Sequence, residues 1–273
     1  MDSPKNKHMK INLLMSIILP VFAACQSSGQ QGENTAATNN FDQYATIHKI
    51  GDIPTPAGYS RINGTDSLFA RWLRQVAIKK DKRVFLYNGD LKRNQSAQYA
   101  VLDIPVGKKD LQQCADAIMR LRAEYLFNSG RSNEISFSDN NGTKYNCPQQ
   151  ASRQEFEAYL QKVFIRCGTL SLEKQLAPVM DFTRIQPGDI LIKGGSPGHA
   201  VLVIDVAENR QGNRVYMLAQ SYMPAQDIHI LVNPEKETLN PWYRAEEGNY
   251  LIYTPEWTFS TRQLKRWPSA VIR

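Results

Sequence analysis

Apolar side chains recur at the three- and four-residue spacing of an amphipathic helix through the first two thirds of the chain. The first such stretch spans residues 67–78 and has its apolar positions at Leu68, Trp72, Leu73 and Val76. Asp110 is a suitable N-cap and Gln113 stands at the reciprocal capping-box position. They predict a second helix from Leu111 to about Phe127. Two further helices are predicted over residues 152–167 and 171–176.

Strand patterns interrupt these helices and then dominate the chain. Residues 84–87 followed by Asn88-Gly89 predict a hairpin whose returning strand spans residues 99–104. A second hairpin is expected around residues 140–142. After Pro187 the chain consists largely of segments dense in Val, Ile and Leu, which are typical of buried strands. The pattern therefore predicts an α+β fold in which helices precede a sheet.

The N-terminal segment predicts an export signal. Three lysines precede an apolar run at residues 11–22, and small residues then lead to Cys25. This resembles a bacterial lipoprotein signal over residues 1–25, in which Cys25 becomes the lipidated first residue; an ordinary secretory signal that contains a cysteine is the alternative. The polar residues 26–40 predict a flexible tether, and residues 41–273 are expected to form one α+β domain.

Charge and histidine spacing narrow the classes of partner. The formal net charge is +7, but the basic runs are short, mixed with acidic residues and without an aromatic platform for bases, so we expect no nucleic-acid partner. A mildly basic protein suits an anionic cell envelope. We expect the lipid on Cys25 to anchor the protein in a membrane, and we expect this to be the outer membrane. The histidines have no ligand spacing, so neither a metal nor another cofactor is expected. We expect a monomer.

Three cysteines remain once Cys25 is lipidated, an odd number in an oxidising compartment. We predict that Cys114 is a free thiol. Cys147 and Cys167 flank a predicted helix and could pair, but the sequence alone leaves this pairing open.

Cys114 and His199 are the candidate chemical pair. A thiol near the start of a helix lies at the positive end of the helix dipole, which favours thiolate, and a nearby imidazole can take its proton. His199 follows Gly198 at the mouth of an apolar strand, and it is expected to project from the face that packs on the Cys114 helix. The alternatives are that Cys114 is a small core residue and His199 a structural histidine.

A third group is needed to orient the imidazole. Strand 214–222 returns beside the His199 strand, and its register places either Gln220 or Ser221 on the His199 face. Pairing of residue 201 with residue 220 selects Gln220, whereas a slip of one residue selects Ser221. The side-chain carbonyl of Gln220 is the better acceptor for an imidazole N–H.

These motifs resemble a known hydrolase superfamily. A cysteine at a helix start, the Pro187-Gly-Asp strand and Gly198-His199 opening an apolar strand are together similar to NlpC-type and CHAP-type cell-wall hydrolases. The resemblance implies a papain-like core, with the helix-borne cysteine packed on an antiparallel sheet. It also implies that Cys114 attacks a peptide amide of peptidoglycan, with His199 as base and Gln220 as its orienting partner. The alternative is a papain-like scaffold that binds peptide or glycan without cleaving it.

The chain also departs from this pattern. Gln113 replaces the acidic residue that usually precedes the cysteine, and Lys108 and Lys109 lie where the papain-type oxyanion glutamine would be. Backbone N–H groups at the helix start, helped by Gln112 or Gln113, could instead hold an oxyanion. Gly198 and Arg122 are further candidates for contacts with substrate, although a structural ion pair is the alternative for Arg122. Over most of its length the chain resembles bacterial lipoproteins known only as a domain of unknown function.

Overall fold

The computed structural model describes residues 46–248 and 250–268, so the predicted signal segment, Cys25 and the predicted tether lie outside the described residues. Within this range the helices are α1 (Ser67–Gln75), α2 (Cys114–Asn128), α3 (Arg153–Arg166) and α4 (Thr169–Gln175). The strands are β1 (Tyr59–Arg61), β2 (Gln98–Val101), β3 (Ser136–Ser138), β4 (Lys144–Asn146), β5 (Ala177–Pro178), β6 (Ile190–Lys193), β7 (His199–Asn209), β8 (Arg214–Gln220), β9 (His229–Leu231), β10 (Tyr243–Ala245), β11 (Leu251–Tyr253), β12 (Thr258–Ser260) and β13 (Leu264–Arg266).

The main sheet is antiparallel throughout its described strands, which confirms the α+β class. Its strands lie in the order β2-β9-β8-β7-β6-β13-β5, and β1 and β10 add to β7 and β8. The β3–β4 and β11–β12 pairs form separate hairpins. No helix in the described ranges is long and apolar enough to cross a membrane.

The central strand β7 is buried on both faces, and each face has its own core. Ala200, Leu202 and Ile204 belong to the core that includes the apolar side of α2. Val201 and Val203 belong to the opposite core, where the β11–β12 hairpin contributes Ile252 and Phe259. Full burial of a Leu- or Ile-sized side chain contributes about 1.5–3 kcal/mol, so both layers hold β7 firmly in place. The sheet therefore lies between a helical layer and a small hairpin.

The helix that carries the candidate thiol begins later than predicted. Asp110 is not its N-cap, because the Asp110 carboxylate accepts hydrogen bonds from the Ala225 backbone N–H (2.6 Å) and from the Gln113 side chain (3.0 Å). The N-cap is Gln113, whose backbone N–H donates to Asp116 Oδ2 at 3.0 Å. The Asp110 carboxylate thus binds a distant part of the chain and does not cap the helix. As a result Cys114 is the first residue of α2.

The predicted partner of residues 84–87 is also wrong. The Asn88-Gly89 turn closes at once, so that Phe85 bridges Leu91, while β2 pairs with β9 in the main sheet. The buried apolar side chains of β2 find more cover in the sheet than a short hairpin could offer. The predicted hairpin around residues 140–142 is confirmed as β3–β4, and α3 follows its predicted range closely.

Cys147 and Cys167 do not form the disulfide that the sequence left open. Both are buried free thiols in the core that also contains Tyr159. Burial raises the pKa of Cys147, and it raises the pKa of Cys167 to about 11. The chain therefore has three buried free thiols in its described part, and Cys147 and Cys167 serve as internal references for Cys114.

Candidate active site

Three elements converge where β7 begins. Cys114 is the first residue of α2, His199 the first of β7 and Gln220 the last of β8. Leu202 lies opposite Ala219, and the same register sets Gln220 opposite Val201. This is the register on which the choice of Gln220 over Ser221 depended. The end of one strand therefore meets the start of the next beside the start of a helix.

A chain of hydrogen bonds runs from the His199 ring to a buried ion pair. His199 Nε2 lies 2.8 Å from Gln220 Oε1, and Gln220 Nε2 donates to Glu256 Oε2 at 2.8 Å. Glu256 Oε2 is in turn 2.6 Å from Lys92 Nζ. Because a carboxylate only accepts, Glu256 fixes the orientation of the Gln220 amide and turns its carbonyl oxygen to His199. Nε2 of His199 must then carry the proton, which leaves the basic lone pair on Nδ1.

His229 supports the same orientation of Gln220. Its Nδ1 lies 2.9 Å from the Asp227 carbonyl oxygen and must donate to it, so its Nε2 is an acceptor. That Nε2 faces the Gln220 amide nitrogen at 3.4 Å. Burial lowers the pKa of His229 to about 3, which keeps the ring neutral. The Gln220 amide is therefore fixed from two sides.

Aromatic rings surround the imidazole of His199. The ring centroids of Tyr222, Trp257 and Phe259 lie 4.6, 5.4 and 5.8 Å from that of His199. This burial lowers the pKa of His199 to about 4, against the opposing effects of the Gln220 hydrogen bond and the Glu256 charge. At neutral pH the ring is therefore a neutral base with a fixed tautomer.

The Cys114 thiol is buried at the helix start, where opposing effects act on it. The backbone N–H groups of Ala115 and Ala200 favour the thiolate, whereas burial and the nearby Asp116 disfavour it. Burial is the largest effect and raises the pKa of Cys114 to about 11. A helix dipole supplies only about 0.3–2 kcal/mol at such a position, too little to reverse this. At rest both Cys114 and His199 are therefore neutral.

The effect of the Ala200 N–H on the Cys114 pKa indicates that the thiol lies near the residue that follows His199. Tyr222 contacts the imidazole, since its ring centroid lies 4.6 Å from that of His199. The hydrogen bonds of the described residues do not include one between Cys114 Sγ and the His199 ring.

The predicted face of His199 is wrong. The ring shares the face of Val201 and packs against Phe259 of the hairpin, whereas α2 packs against the Ala200 face. The alternation along β7 is as expected, but the helix covers the other side.

Ser221 holds the helix start in place instead of contacting His199. Its hydroxyl oxygen lies 2.8 Å from the carbonyl oxygen of Gln112 and 2.9 Å from that of Gln226. Together with the bond from the Ala225 N–H to Asp110, this ties the segment before Cys114 to the loop after β8. Hydrogen bonds between these two loops therefore position the thiol.

The other predicted contact residues are occupied within the protein. The Gln113 side chain donates to Asp110. Arg122 pairs with Asp66 at 2.7 Å and lies over the Phe69 ring, as in the ion-pair alternative. Gly198 leaves no room for a side chain, since a Cβ there would be 2.3 Å from the Gly195 carbonyl oxygen. Its own loop, rather than a ligand, demands the glycine.

Sequence reasoning missed three residues of the network: Lys92, His229 and Glu256. Glu256 lies 36 residues beyond Gln220 and 164 beyond Lys92, so no local spacing could reveal the contact. The sequence contained one signal that could have pointed to Glu256: it is an acidic residue beside an aromatic one, Trp257, in a short hairpin. Within the described ranges, no group of three or more His, Cys, Asp or Glu side chains could hold a metal ion.

The comparisons with known proteins identify a family without an activity. No curated protein and no solved structure matches the chain. One family model matches residues 51–149 and 141–266, which is most of the sequence. The protein therefore belongs to the family described as Domain of unknown function (4846).

Proposed function

We propose that this protein is a lipid-anchored cysteine hydrolase with a papain-like core, which cleaves peptide amide bonds of the cell envelope. The observation that carries the proposal is the hydrogen-bonded chain from His199 through Gln220 to Glu256, which fixes the His199 tautomer beside Ala200, the residue whose N–H favours the Cys114 thiolate. A buried histidine with a free basic nitrogen, next to a thiol at a helix start, is the arrangement that nucleophilic acyl transfer needs.

The reaction would proceed through a thioester. Cys114 Sγ attacks the amide carbonyl carbon while His199 Nδ1 takes the thiol proton, and the proton then passes to the leaving amine as the C–N bond breaks. Water next attacks the thioester, which releases a carboxylate and restores the thiol. The backbone N–H groups at the start of α2 are the donors available to the oxyanion. Because both groups start neutral, proton transfer accompanies attack.

The substrate class follows from the predicted location. The predicted lipoprotein signal ending at Cys25 supports an envelope location for this proposal, and the resemblance to NlpC-type and CHAP-type enzymes suggests peptide amides of peptidoglycan. Cys25→Ser is expected to release the protein from the membrane fraction while leaving hydrolysis intact. The location and the reaction can thus be tested separately.

Burial favours a second candidate function. Cys114 and His199 are 7% and 1% exposed, as core residues are, and burial raises the pKa of the Cys114 thiol, which disfavours the thiolate. A papain-like domain that binds wall peptide or glycan without cleaving it would have these properties. It would retain full affinity for peptidoglycan when Cys114 is replaced.

Incubation of the purified protein with peptidoglycan fragments distinguishes the two functions. The hydrolase should yield new amine and carboxyl ends by mass spectrometry, and Cys114→Ala should abolish them. Cys167→Ala is the matched control, because it removes an equally buried free thiol. Undiminished binding by both variants, with no cleavage by the wild-type protein, would establish the binding function instead.

A further inference from the structure

A cavity of about 190 Å³ opens between the segment that leads to α2 and the helix α3. Its apolar wall comes from Leu111, Leu160 and Phe164. Since a water in the liquid occupies about 30 Å³, the space suits a small molecule rather than a polymer chain. The active-site chemistry described above makes no use of it.

One residue that lines this cavity, Gln112, has an unpartnered side-chain donor. Gln112 is 1% exposed, and its side-chain oxygen accepts from Arg120 Nη1 at 2.9 Å. Its side-chain nitrogen is buried and has no hydrogen-bond partner in the described structure. Leaving a buried amide N–H₂ unpaired is costly, so such a group in a cavity wall indicates a missing acceptor.

The charges around the cavity are mostly positive. Lys108, Lys109, Arg120 and Arg153 line it, with Glu157 as the acidic exception. Arg120 and Arg153 share the buried carboxylate of Glu124, at 3.2 and 2.7 Å. Arg153 also pairs with Glu157 at 2.8 Å. Burial and the Arg153 charge lower the pKa of Arg120, against the opposing charges of Glu124 and Glu157, while Lys108 and Lys109 add further positive charge. The acceptor that Gln112 lacks is therefore best supplied by an anion.

We propose that this cavity binds a carboxylate carried on a small apolar group. The carboxylate accepts from the Gln112 amide and lies among the basic side chains, while the apolar group contacts Leu160 and Phe164. Carboxylate oxygens are matched to amide and cationic donors, and charge-assisted hydrogen bonds of this kind are about twice as strong as neutral ones. The site is independent of the proposed hydrolysis, because it is defined by equilibrium binding alone.

The test compares isovalerate with its isosteric neutral amide, isovaleramide, by NMR titration of the purified protein. Isovalerate should shift the amide signals of residues 106–112 and bind about tenfold more tightly than isovaleramide. Gln112→Met keeps the length of the side chain but removes the donor, together with the oxygen that accepts from Arg120, and it should weaken isovalerate binding by about tenfold. Equal affinity for acid and amide, or shifts confined to other regions, would overturn the proposal.

Exposed lysines provide variants that preserve the fold. Lys108→Gln removes a charge at the cavity rim and should weaken isovalerate binding by about threefold. Lys144→Gln removes an equally exposed charge on the β3–β4 hairpin and should leave the affinity unchanged. Equal losses in both variants would show nonspecific charge attraction and contradict a built site.

Discussion

Two buried polar side chains on β7 are treated in opposite ways. Asp205 is fully buried and is held by Arg61 at 2.6 Å and Arg74 at 2.7 Å, with a further hydrogen bond from the Val206 N–H. His199 has one hydrogen bond from its ring, to the neutral Gln220, and its other nitrogen keeps its lone pair. The charge on Asp205 is compensated in place, whereas the imidazole is left able to take a proton.

The two side chains are therefore buried for different purposes: Asp205 stabilises the fold, and His199 is available for chemistry. A buried carboxylate with two guanidinium groups is locked in one state, because any change leaves uncompensated charge. A buried imidazole in an aromatic cage changes state more easily when a partner supplies the proton. Substitutions at the two positions should therefore differ in kind, with loss of stability at Asp205 and loss of chemistry at His199.

The largest effect is expected on hydrolysis. Replacing Cys114 or His199 by Ala should lower kcat/KM for a peptide amide by about 10⁴-fold, because either change removes the nucleophile or its base. Cys167→Ala should retain nearly full activity. A Cys114→Ala variant that still cleaves substrate would assign the nucleophile elsewhere.

Asp205→Asn should instead lower the stability of the fold. The change leaves Arg61 and Arg74 without their buried counter-charge and should lower the free energy of unfolding by about 3–5 kcal/mol in urea denaturation. His199→Gln should cost clearly less, because no ion pair is broken. If His199→Gln destabilises as much as Asp205→Asn, the contrast between the two positions fails.

Acid should destabilise the fold through the buried histidines. In the folded protein the pKa values of His199 and His229 are lowered to about 4 and about 3, whereas an unfolded histidine has a pKa of about 6.5. At pH values between these limits the unfolded chain therefore binds more protons than the folded protein does. The contribution of the two histidines is fully present above about pH 6.5 and is lost as the pH falls, on the order of 3 kcal/mol for His199 and 5 kcal/mol for His229. His229→Gln should flatten the dependence of unfolding free energy on pH.

The smallest effect is expected from the orienting groups. Gln220→Ala or Glu256→Gln frees the His199 tautomer and should lower kcat by about tenfold with little change in KM. Glu237→Gln, at an exposed carboxylate, is the control. A loss confined to KM would place Gln220 and Glu256 in substrate binding instead.

Local patterns explain what the sequence could predict. Alternation along β7 and the pairing of neighbouring strands are short-range properties, and they led to Gln220 as the partner of His199. Which face α2 covers depends on packing among distant segments, and there the prediction failed. The start of α2 was misplaced for a similar reason, since Asp110 is used by the backbone of Ala225, 115 residues away. Glu256 and Lys92 reach the site only through the fold.

Alkylation of the three free thiols by iodoacetamide, followed by mass spectrometry, tests the central claim most directly. Cys114, Cys147 and Cys167 are 7%, 5% and 7% exposed, so access is matched and differences in rate report chemistry. We expect Cys114 to react fastest, and His199→Ala to slow Cys114 alone by about tenfold because the base is lost. Equal alkylation rates at all three thiols, or a Cys114 rate that is unchanged by His199→Ala, would contradict a nucleophile and base at the start of β7.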